Sequence, residues 1–243
     1  MTDGDFGRER ARRLEVLRRA GVYLVTEESL SAGRRSEEIA EAALEAGVRV
    51  IQVREKDGSM RRALEIARAV RGLTRRYDAL LIVNDRVDIA LAADADGVHL
   101  GQEDLPIADA RRLLGEASLI GLSITDAAQL SSLDAAMADC LGVGAVFPTG
   151  SKTDATLTGL ALLAAAGTAT AATRAPIVAI GGITLENTGR AVLAGADVVA
   201  VISAIAAASD PGLAAAELLE AVRVARAEAA RAGVVLRPTG AAR

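Results

Sequence analysis

The sequence predicts an α/β fold, a single (β/α)8 barrel with an extra helix at its N-terminus. Eight short runs rich in β-branched residues alternate with Ala-, Arg- and Glu-rich stretches of helical character. Most of these runs are apolar throughout, as expected for parallel strands that are covered on both faces. A doubly wound open sheet is the main alternative, but the Gly-x-Gly-x-x-Gly turn that often follows its first strand is missing.

The predicted strands are VYLVT from Val22, VRVIQVR from Val48, ALLIVND from Ala79, GVHLG from Gly97, LIGLSI from Leu119, LGVGAVF from Leu141, PIVAIGG from Pro176 and VVAVISA from Val198. Helical patterns lie between them. SEEIAEAALEAG has Ser36 as its predicted N-cap and closes at Gly47, and TLENTGRAVLAGAD begins with a Thr184 cap and closes at Gly195. A strand–helix unit repeated eight times is typical of a TIM barrel.

Length and composition favour one domain, because 243 residues is an ordinary size for such a barrel and no Pro/Gly-rich linker divides the chain. We predict a basic helical extension over residues 1–20, in solvent, the catalytic barrel over 21–230 and a flexible tail over 231–243. The charged N-terminus lacks the apolar segment of a signal peptide, and no uncharged apolar run has membrane-spanning length.

A net charge of −4 argues against a general nucleic-acid binder. The single cysteine, Cys140, has no internal disulfide partner and fits a reducing compartment. We therefore predict a cytoplasmic protein that binds neither nucleic acid nor membrane. Formation of a homo-oligomer stays open.

Polar residues fall where the predicted strands end, which is where barrels of this type carry their active sites. Gln52, Arg54 and Lys56 alternate at the end of strand two, so they share one face as long as the strand persists. An amide and two cations on one face suit a polyanion. The alternative is an exposed strand end with salt bridges to Glu55 and Asp57.

Asn84 and Asp85 follow strand three directly, and Asp104 follows strand four. Two carboxylates from neighbouring strand ends suit Mg²⁺, which takes few protein oxygens. Both aspartates could instead cap the next helix, and Glu103 is an alternative ligand. His99, the one histidine, lies inside strand four, where a structural role is favoured over that of a catalytic base.

Small and hydroxyl-bearing residues end the last four strands. A backbone with free N–H groups, hydroxyls and a cation suits a phosphate, and loops after strands seven and eight often form a phosphate site in these barrels. An ordinary polar turn is the alternative. The residues are Ser123 at the end of strand five, Thr149, Gly150, Ser151 and Lys152 after strand six, Gly181 and Gly182 at the end of strand seven, and Ile202 and Ser203 at the end of strand eight.

Seven motifs, taken in order, resemble those of the thiamine-phosphate synthase (thiamine-phosphate pyrophosphorylase) family. They are VIQVREKD, IVNDR, GVHLGQEDLP, GLSI, GVGAVFPTGSKTDA, VAIGGITLEN and VVAVISAI, within residues 20 to 225. The resemblance implies a transferase of thiamine biosynthesis. It would condense 4-amino-5-hydroxymethyl-2-methylpyrimidine diphosphate with 4-methyl-5-(2-phosphoethyl)thiazole to give thiamine phosphate, through a dissociative, Mg²⁺-assisted loss of pyrophosphate.

The same resemblance implies a role for each matching residue. The pyrimidine diphosphate would be held by Gln52, Arg54, Lys56, Asn84, Ser123 and Lys152, of which Arg54, Lys56, Ser123 and Lys152 form the catalytic set. Asp85 and Asp104 would hold Mg²⁺. The thiazole phosphate would be held by Thr149, Ser151, Gly182, Ile202 and Ser203.

The chain departs from the family pattern in four places. Cys140-Leu141 stands where the family often has Tyr, Ala145 replaces a usual Pro, Ser151 replaces a common Thr, and Thr125 stands where a His often follows the strand-five Ser. A thiazole tautomerase, a relative on the same fold, is the nearest rival function, but it needs that His. A non-catalytic phosphate-binding barrel is the second rival, and it would not need the paired aspartates.

Overall fold

The computed structural model describes residues 3–56, 58–150, 157–232 and 236. Within these residues, eight parallel strands pair in chain order and β8 pairs with β1, so the sheet closes into a barrel. The predicted (β/α)8 fold is therefore confirmed. The strands are β1 (Val22–Thr26), β2 (Val50–Val53), β3 (Leu80–Asn84), β4 (Gly97–Leu100), β5 (Leu119–Ile124), β6 (Cys140–Val143), β7 (Ile177–Ile180) and β8 (Val198–Val201).

Helices surround the barrel, and the strands are buried on both faces, as their apolar sequences predict. In the described part of the chain the α-helices are α1 (Asp3–Arg19), α2 (Ser36–Glu45), α3 (Met60–Arg76), α4 (Val87–Ala92), α5 (Ile107–Leu114), α6 (Leu133–Met137), α7 (Gly159–Ala169), α8 (Leu185–Leu193), α9 (Ser203–Ala206) and α10 (Pro211–Arg231). None of them is long and apolar enough to cross a membrane.

Strand β6 ends earlier than its apolar sequence predicts. The prediction continued to Phe147, but pairing with β5 stops at Val143. The buried segment that follows bonds to the end of β7 instead: Val146 N donates to Ile180 O at 2.9 Å and Phe147 N donates to Gly181 O at 3.0 Å. The residues after β6 are apolar because they pack beneath the β7 end, not because the strand continues.

Three of the four predicted helix signals hold and one is wrong. Thr184 is the N-cap of α8, where its backbone N donates to Asn187 Oδ1 at 2.9 Å. Gly47 and Gly195 follow α2 and α8 with φ of +110° and +109°. The predicted Ser36 cap is wrong, because α2 begins at Ser36, its N-cap is Arg35, and Ser36 Oγ donates to Glu55 at 2.7 Å.

Helix α1 is not a solvated extension as predicted, because it packs across the amino-terminal end of the barrel. Leu17 is 2% exposed and contacts the apolar cluster inside the barrel, with Leu14 and Val16 against the same cluster. Arg13 Nη1 donates to Asp96 O at 3.1 Å and to Ala117 O at 3.0 Å. The domain bounds stay a prediction, and most of the predicted tail lies outside the described residues.

Buried aspartates fix the amino-terminal ends of β3, β5 and β7. Each precedes an even strand and accepts a hydrogen bond from the first residue or two of the strand before it. The pairs are Asp96 with Leu81 N at 2.9 Å, Asp139 with Ile120 N at 2.8 Å and Asp197 with Ile177 N at 2.7 Å. Arg71 and Arg111 balance two of these charges. This end of the barrel is filled, so the opposite end is where a site is expected.

Candidate active site

The carboxyl ends of β2 and β3 border a pocket of about 320 Å³. Lys56, Asn84 and Asp85 line this pocket together, between the segment that follows β2 and the segment that follows β3. Because parallel strands end at the same edge, two polar motifs that are far apart in sequence meet here. The structure thus groups three of the residues predicted for the pyrimidine diphosphate and Mg²⁺.

Gln52 and Arg54 lie beside this pocket and are held differently. Gln52 is buried in β2, and its Nε2 donates to Tyr23 Oη at 2.7 Å. Arg54 follows β2, its backbone N donates to Thr26 O at 3.1 Å, and its guanidinium pairs with Glu27. A shared strand face was predicted only as far as the strand persists. Because β2 ends at Val53, Arg54 and Lys56 take their positions from the segment beyond the strand.

Asp85 and Asp104 come together at the ends of β3 and β4. Asp85 has a φ of +59°, and its backbone N donates to His99 O at 2.8 Å. Asp104 Oδ2 accepts from Gly101 N at 2.6 Å. Neither aspartate is the cap of the following helix, since those positions are Arg86 for α4 and Pro106 for α5.

Burial, together with a hydrogen bond to the neighbouring Asp104 and the charge of that residue, raises the pKa of Asp85 to about 6. Lys56 and Arg54 act in the opposite direction and lower this pKa. Two partly buried carboxyl groups held in contact repel each other when both are ionised, and a divalent cation would remove that repulsion. Mg²⁺ needs few protein oxygens, so the pair fits this ion. The alternative ligand Glu103 is exposed.

Ser123, in β5, contacts one residue of β4 and one residue of the segment that follows β4. His99 Nε2 lies 3.0 Å from Ser123 Oγ, and Gln102 Nε2 donates to Ser123 O at 2.6 Å. The His99 ring lies against Gly121 and Gly142, where added Cβ atoms would come within 2.4 Å and 2.7 Å of it. Burial lowers the pKa of His99 to about 4, so the ring is neutral near pH 7. This arrangement agrees with the favoured structural role.

A second pocket, of about 430 Å³, lies at the ends of β6, β7 and β8. Thr149, Gly182, Ile202 and Ser203 all line it, so the structure brings these four predicted phosphate residues together. Gly182 has a φ of +64°, and a Cβ there would lie 2.3 Å from Pro148 O. Ser151 and Lys152, the remaining predicted residues of this loop, lie outside the described residues.

The segment after β1 also contributes to the site, and none of its residues was predicted to do so. Glu27 pairs with Arg54, and Leu30 lines the larger of the two pockets. Both follow the strand VYLVT, so the rule that polar residues at strand ends form the site would have found Glu27. Nothing in the sequence indicated Leu30, or that Tyr23 inside β1 contacts Gln52.

Known proteins match this chain over most of its length. The family model described as thiamine monophosphate synthase matches residues 22–205. The thiamine-phosphate synthase of Haloquadratum walsbyi is 46% identical over 85% of this chain and 92% of its own, and that of Haloarcula marismortui is 48% identical over 84% and 98%.

A solved structure gives the same result. The thiamine phosphate pyrophosphorylase of Pyrococcus furiosus superimposes with a TM-score of 0.76 at 40% identity, covering 86% of this chain and 98% of that one. The matched region contains all eight strands, the residues of both pockets and the aspartate pair. The chain therefore belongs to the thiamine monophosphate synthase family.

Proposed function

We propose that this protein is a transferase that makes thiamine phosphate from 4-amino-5-hydroxymethyl-2-methylpyrimidine diphosphate and 4-methyl-5-(2-phosphoethyl)thiazole, with release of pyrophosphate. The observation that carries the proposal is the presence of two separate anion-suited pockets at one end of one barrel. One has Lys56, Asn84 and Asp85, with Arg54 beside it, and the other has small residues and hydroxyls. A diphosphate and a monophosphate would occupy both.

The first chemical step in this proposal is the loss of pyrophosphate from the exocyclic carbon of the pyrimidine. Arg54 and Lys56 lie close enough to the aspartate pair to lower the pKa of Asp85, so their charges act on the same region. Cations fixed beside a leaving group stabilise the negative charge that develops on it. Lys152, outside the described residues, is predicted to add a third cation.

Asp85 and Asp104 are the residues that would hold Mg²⁺. Bound there, the ion would offset charge on the departing pyrophosphate. The contact between the two carboxyl groups supports this assignment, as does the absence of a capping role for either one.

The second step is capture of the pyrimidine cation by the thiazole nitrogen. The electron-rich aminopyrimidine stabilises positive charge at its exocyclic carbon, and the thiazole held in the second pocket supplies the electron pair. Positioning two substrates side by side supplies much of the rate acceleration of a reaction between them. The reaction requires no protein nucleophile. In agreement, burial raises the pKa of the Cys140 thiol to about 12, which leaves it protonated at neutral pH.

The two rival functions are less well supported. The tautomerase needs a histidine where this chain has Thr125, which is exposed and bonded to Gln129. A phosphate-binding barrel without activity gives no reason for the contact between Asp85 and Asp104. Small molecules are accordingly the proposed binding partners, and the single buried cysteine supports a reducing, cytoplasmic location.

A direct assay tests the proposal. Purified protein is incubated with the pyrimidine diphosphate, the thiazole phosphate and Mg²⁺, and thiamine phosphate and pyrophosphate are quantified. We expect both products in equal amounts, and only when the metal is present. Absence of product from protein that binds both substrates would reject the synthase and favour a binding protein.

A further inference from the structure

We propose that the β1 loop, residues 27–35, is a third part of the active site: Glu27 positions Arg54 for the diphosphate, and Leu30 forms an apolar wall for the thiazole. The β1 loop connects β1 to α2 and contributes to both substrate regions. This inference rests on the proposed function for the identity of the two substrates. The contacts of the β1 loop are given only for residues that the structure describes.

Glu27 holds the guanidinium of Arg54 at the edge of the site. Glu27 is 8% exposed and accepts from Arg54 Nη1, while Ser29 Oγ donates to Glu27 Oε1 at 3.3 Å. The Arg54 side chain is 13% exposed, so the pair is largely removed from water. A guanidinium is a planar fork with five donors, and a carboxylate bonded to one part of it fixes the direction of the others. Glu27 is therefore a positioning residue.

Leu30 supplies apolar surface to the pocket that holds Thr149, Gly182 and Ser203. It is half-buried and comes from the β1 loop, across from the polar turns after β6 and β7. Ile180 and Ile202 line the same pocket. Because the phosphate needs the hydroxyls and backbone N–H groups, the apolar side of the pocket is left for the thiazole ring and its substituents.

The β1 loop is anchored to the β8 side of the barrel without help from a substrate. Arg34 Nη1 donates to Ala206 O at 3.3 Å, and Arg34 Nη2 donates to Ser209 O at 3.1 Å. These carbonyls lie at and beyond the end of α9, the short helix that begins at Ser203. Ser31 is fully buried, and its Oγ donates to Glu28 O at 2.7 Å. The loop and the end of α9 are thus held in a fixed relation.

Binding of inorganic pyrophosphate with Mg²⁺ tests the role of Glu27 without turnover. Titration calorimetry would compare wild type, Glu27→Ala, Arg54→Ala and the double variant, with Glu27→Gln as a milder change. We expect Glu27→Ala to weaken binding roughly tenfold or more, since a misdirected donor loses most of its contribution. In the Arg54→Ala background the same change should have no further effect.

The matched control is Glu41→Gln, which removes an acid that pairs with Arg76 outside the β1 loop and is expected to leave binding unchanged. In steady-state assays Glu27→Ala should lower kcat/KM for the pyrimidine diphosphate and leave KM for the thiazole phosphate within about twofold. The positioning role would be overturned if Glu27→Ala lost the same pyrophosphate affinity with and without Arg54. It would also be overturned if Glu27→Ala lowered the melting temperature and left that affinity unchanged.

Leu30→Ala tests the apolar wall. We expect a rise of about tenfold in KM for the thiazole phosphate, because removing methylenes from an apolar pocket typically costs 10- to 200-fold. Affinity for inorganic phosphate should not change, and Leu30→Met, which keeps the volume, should stay near wild type. An unchanged KM, or equal weakening of both ligands, would remove Leu30 from the pocket wall.

The two proposals fail separately. If the wild-type protein forms no thiamine phosphate, the synthase activity is refuted. The pyrophosphate affinities of the two single variants and the double variant still decide whether Glu27 acts through Arg54. If the activity is present and the affinity losses of Glu27→Ala and Arg54→Ala add up in the double variant, the β1 loop inference is refuted and the proposed function stands.

Discussion

A single methyl group added at Gly182 should impair the thiazole phosphate pocket and leave the pyrimidine diphosphate pocket unaffected. Gly182 follows β7, lines the pocket assigned to the thiazole phosphate and has a φ of +64°. A Cβ there would lie 2.3 Å from Pro148 O and 2.7 Å from Phe147 O. Both contacts are with backbone, so no side-chain rotation relieves them. Thr149, next in the chain after Pro148, must move with it.

The structure sets the size of the effect. A carbon and a carbonyl oxygen approach to about 3.3 Å without overlap, so the Pro148 carbonyl must shift by about 1 Å. A displacement of about 1 Å in a positioning group costs roughly 100-fold in rate. Left-handed backbone costs alanine about 1–2 kcal/mol and overpacking about 1–3, for a total of about 2–5 kcal/mol of stability.

The assay measures kinetics and thermal unfolding of Gly182→Ala beside Gly195→Ala. Gly195 has a φ of +109° but follows α8 at the far end of the barrel, where a Cβ would lie 3.9 Å from Leu163 O. We expect kcat/KM for the thiazole phosphate to fall about 100-fold in Gly182→Ala alone. The melting temperature should fall in both variants, and further in Gly182→Ala, because each kcal/mol of lost stability lowers it by about 2–4 °C. An unchanged kcat/KM in Gly182→Ala, or an equal loss in the control, would refute this reasoning.

Three further predictions concern single charges. Lys152→Ala should abolish most turnover while the circular dichroism spectrum stays that of wild type, and full activity in this variant would remove the leaving-group argument. Asp85→Asn should shift the Mg²⁺ dependence of activity to higher concentration, whereas an unchanged metal profile would assign Asp85 another role. Asp139→Ala should lower stability by about 3–5 kcal/mol, because the largely buried Arg111 loses its carboxylate. Calorimetry compares it with Glu220→Ala, an exposed acid expected to matter little, and equal melting temperatures would contradict the prediction.

The pattern of apolar runs was sufficient for the fold because it is a local property. Val22–Thr26 and Leu119–Ile124 begin and end where the sequence predicts them. Val143 shows the limit of that reasoning, since an apolar run also arises where a loop packs under a neighbouring strand. Helix α1 shows another limit: its charges suggested solvent, but its apolar face covers the end of the barrel.

The candidate site could be predicted in part for the same reason. Gln52, Lys56, Asp85 and Thr149 stand at strand ends, and parallel strands place those ends on one edge whatever their separation in sequence. Which of these residues touch each other was not predictable. The contact between Asp85 and Asp104 depends on the register of β3 and β4 and on a left-handed residue between strand and helix.

By itself the sequence determined the barrel, the end of the barrel that carries polar groups, and the kind of chemistry those groups suit. Hydrophobic periodicity and residue type are local properties of the sequence, so they need no tertiary contact to be recognised. Tertiary structure alone decided the partners. Glu27 becomes the counter-ion of Arg54, Leu30 a wall of the second pocket and Tyr23 the neighbour of Gln52 because β1 closes the barrel between β2 and β8. Closure joins segments that no local pattern relates.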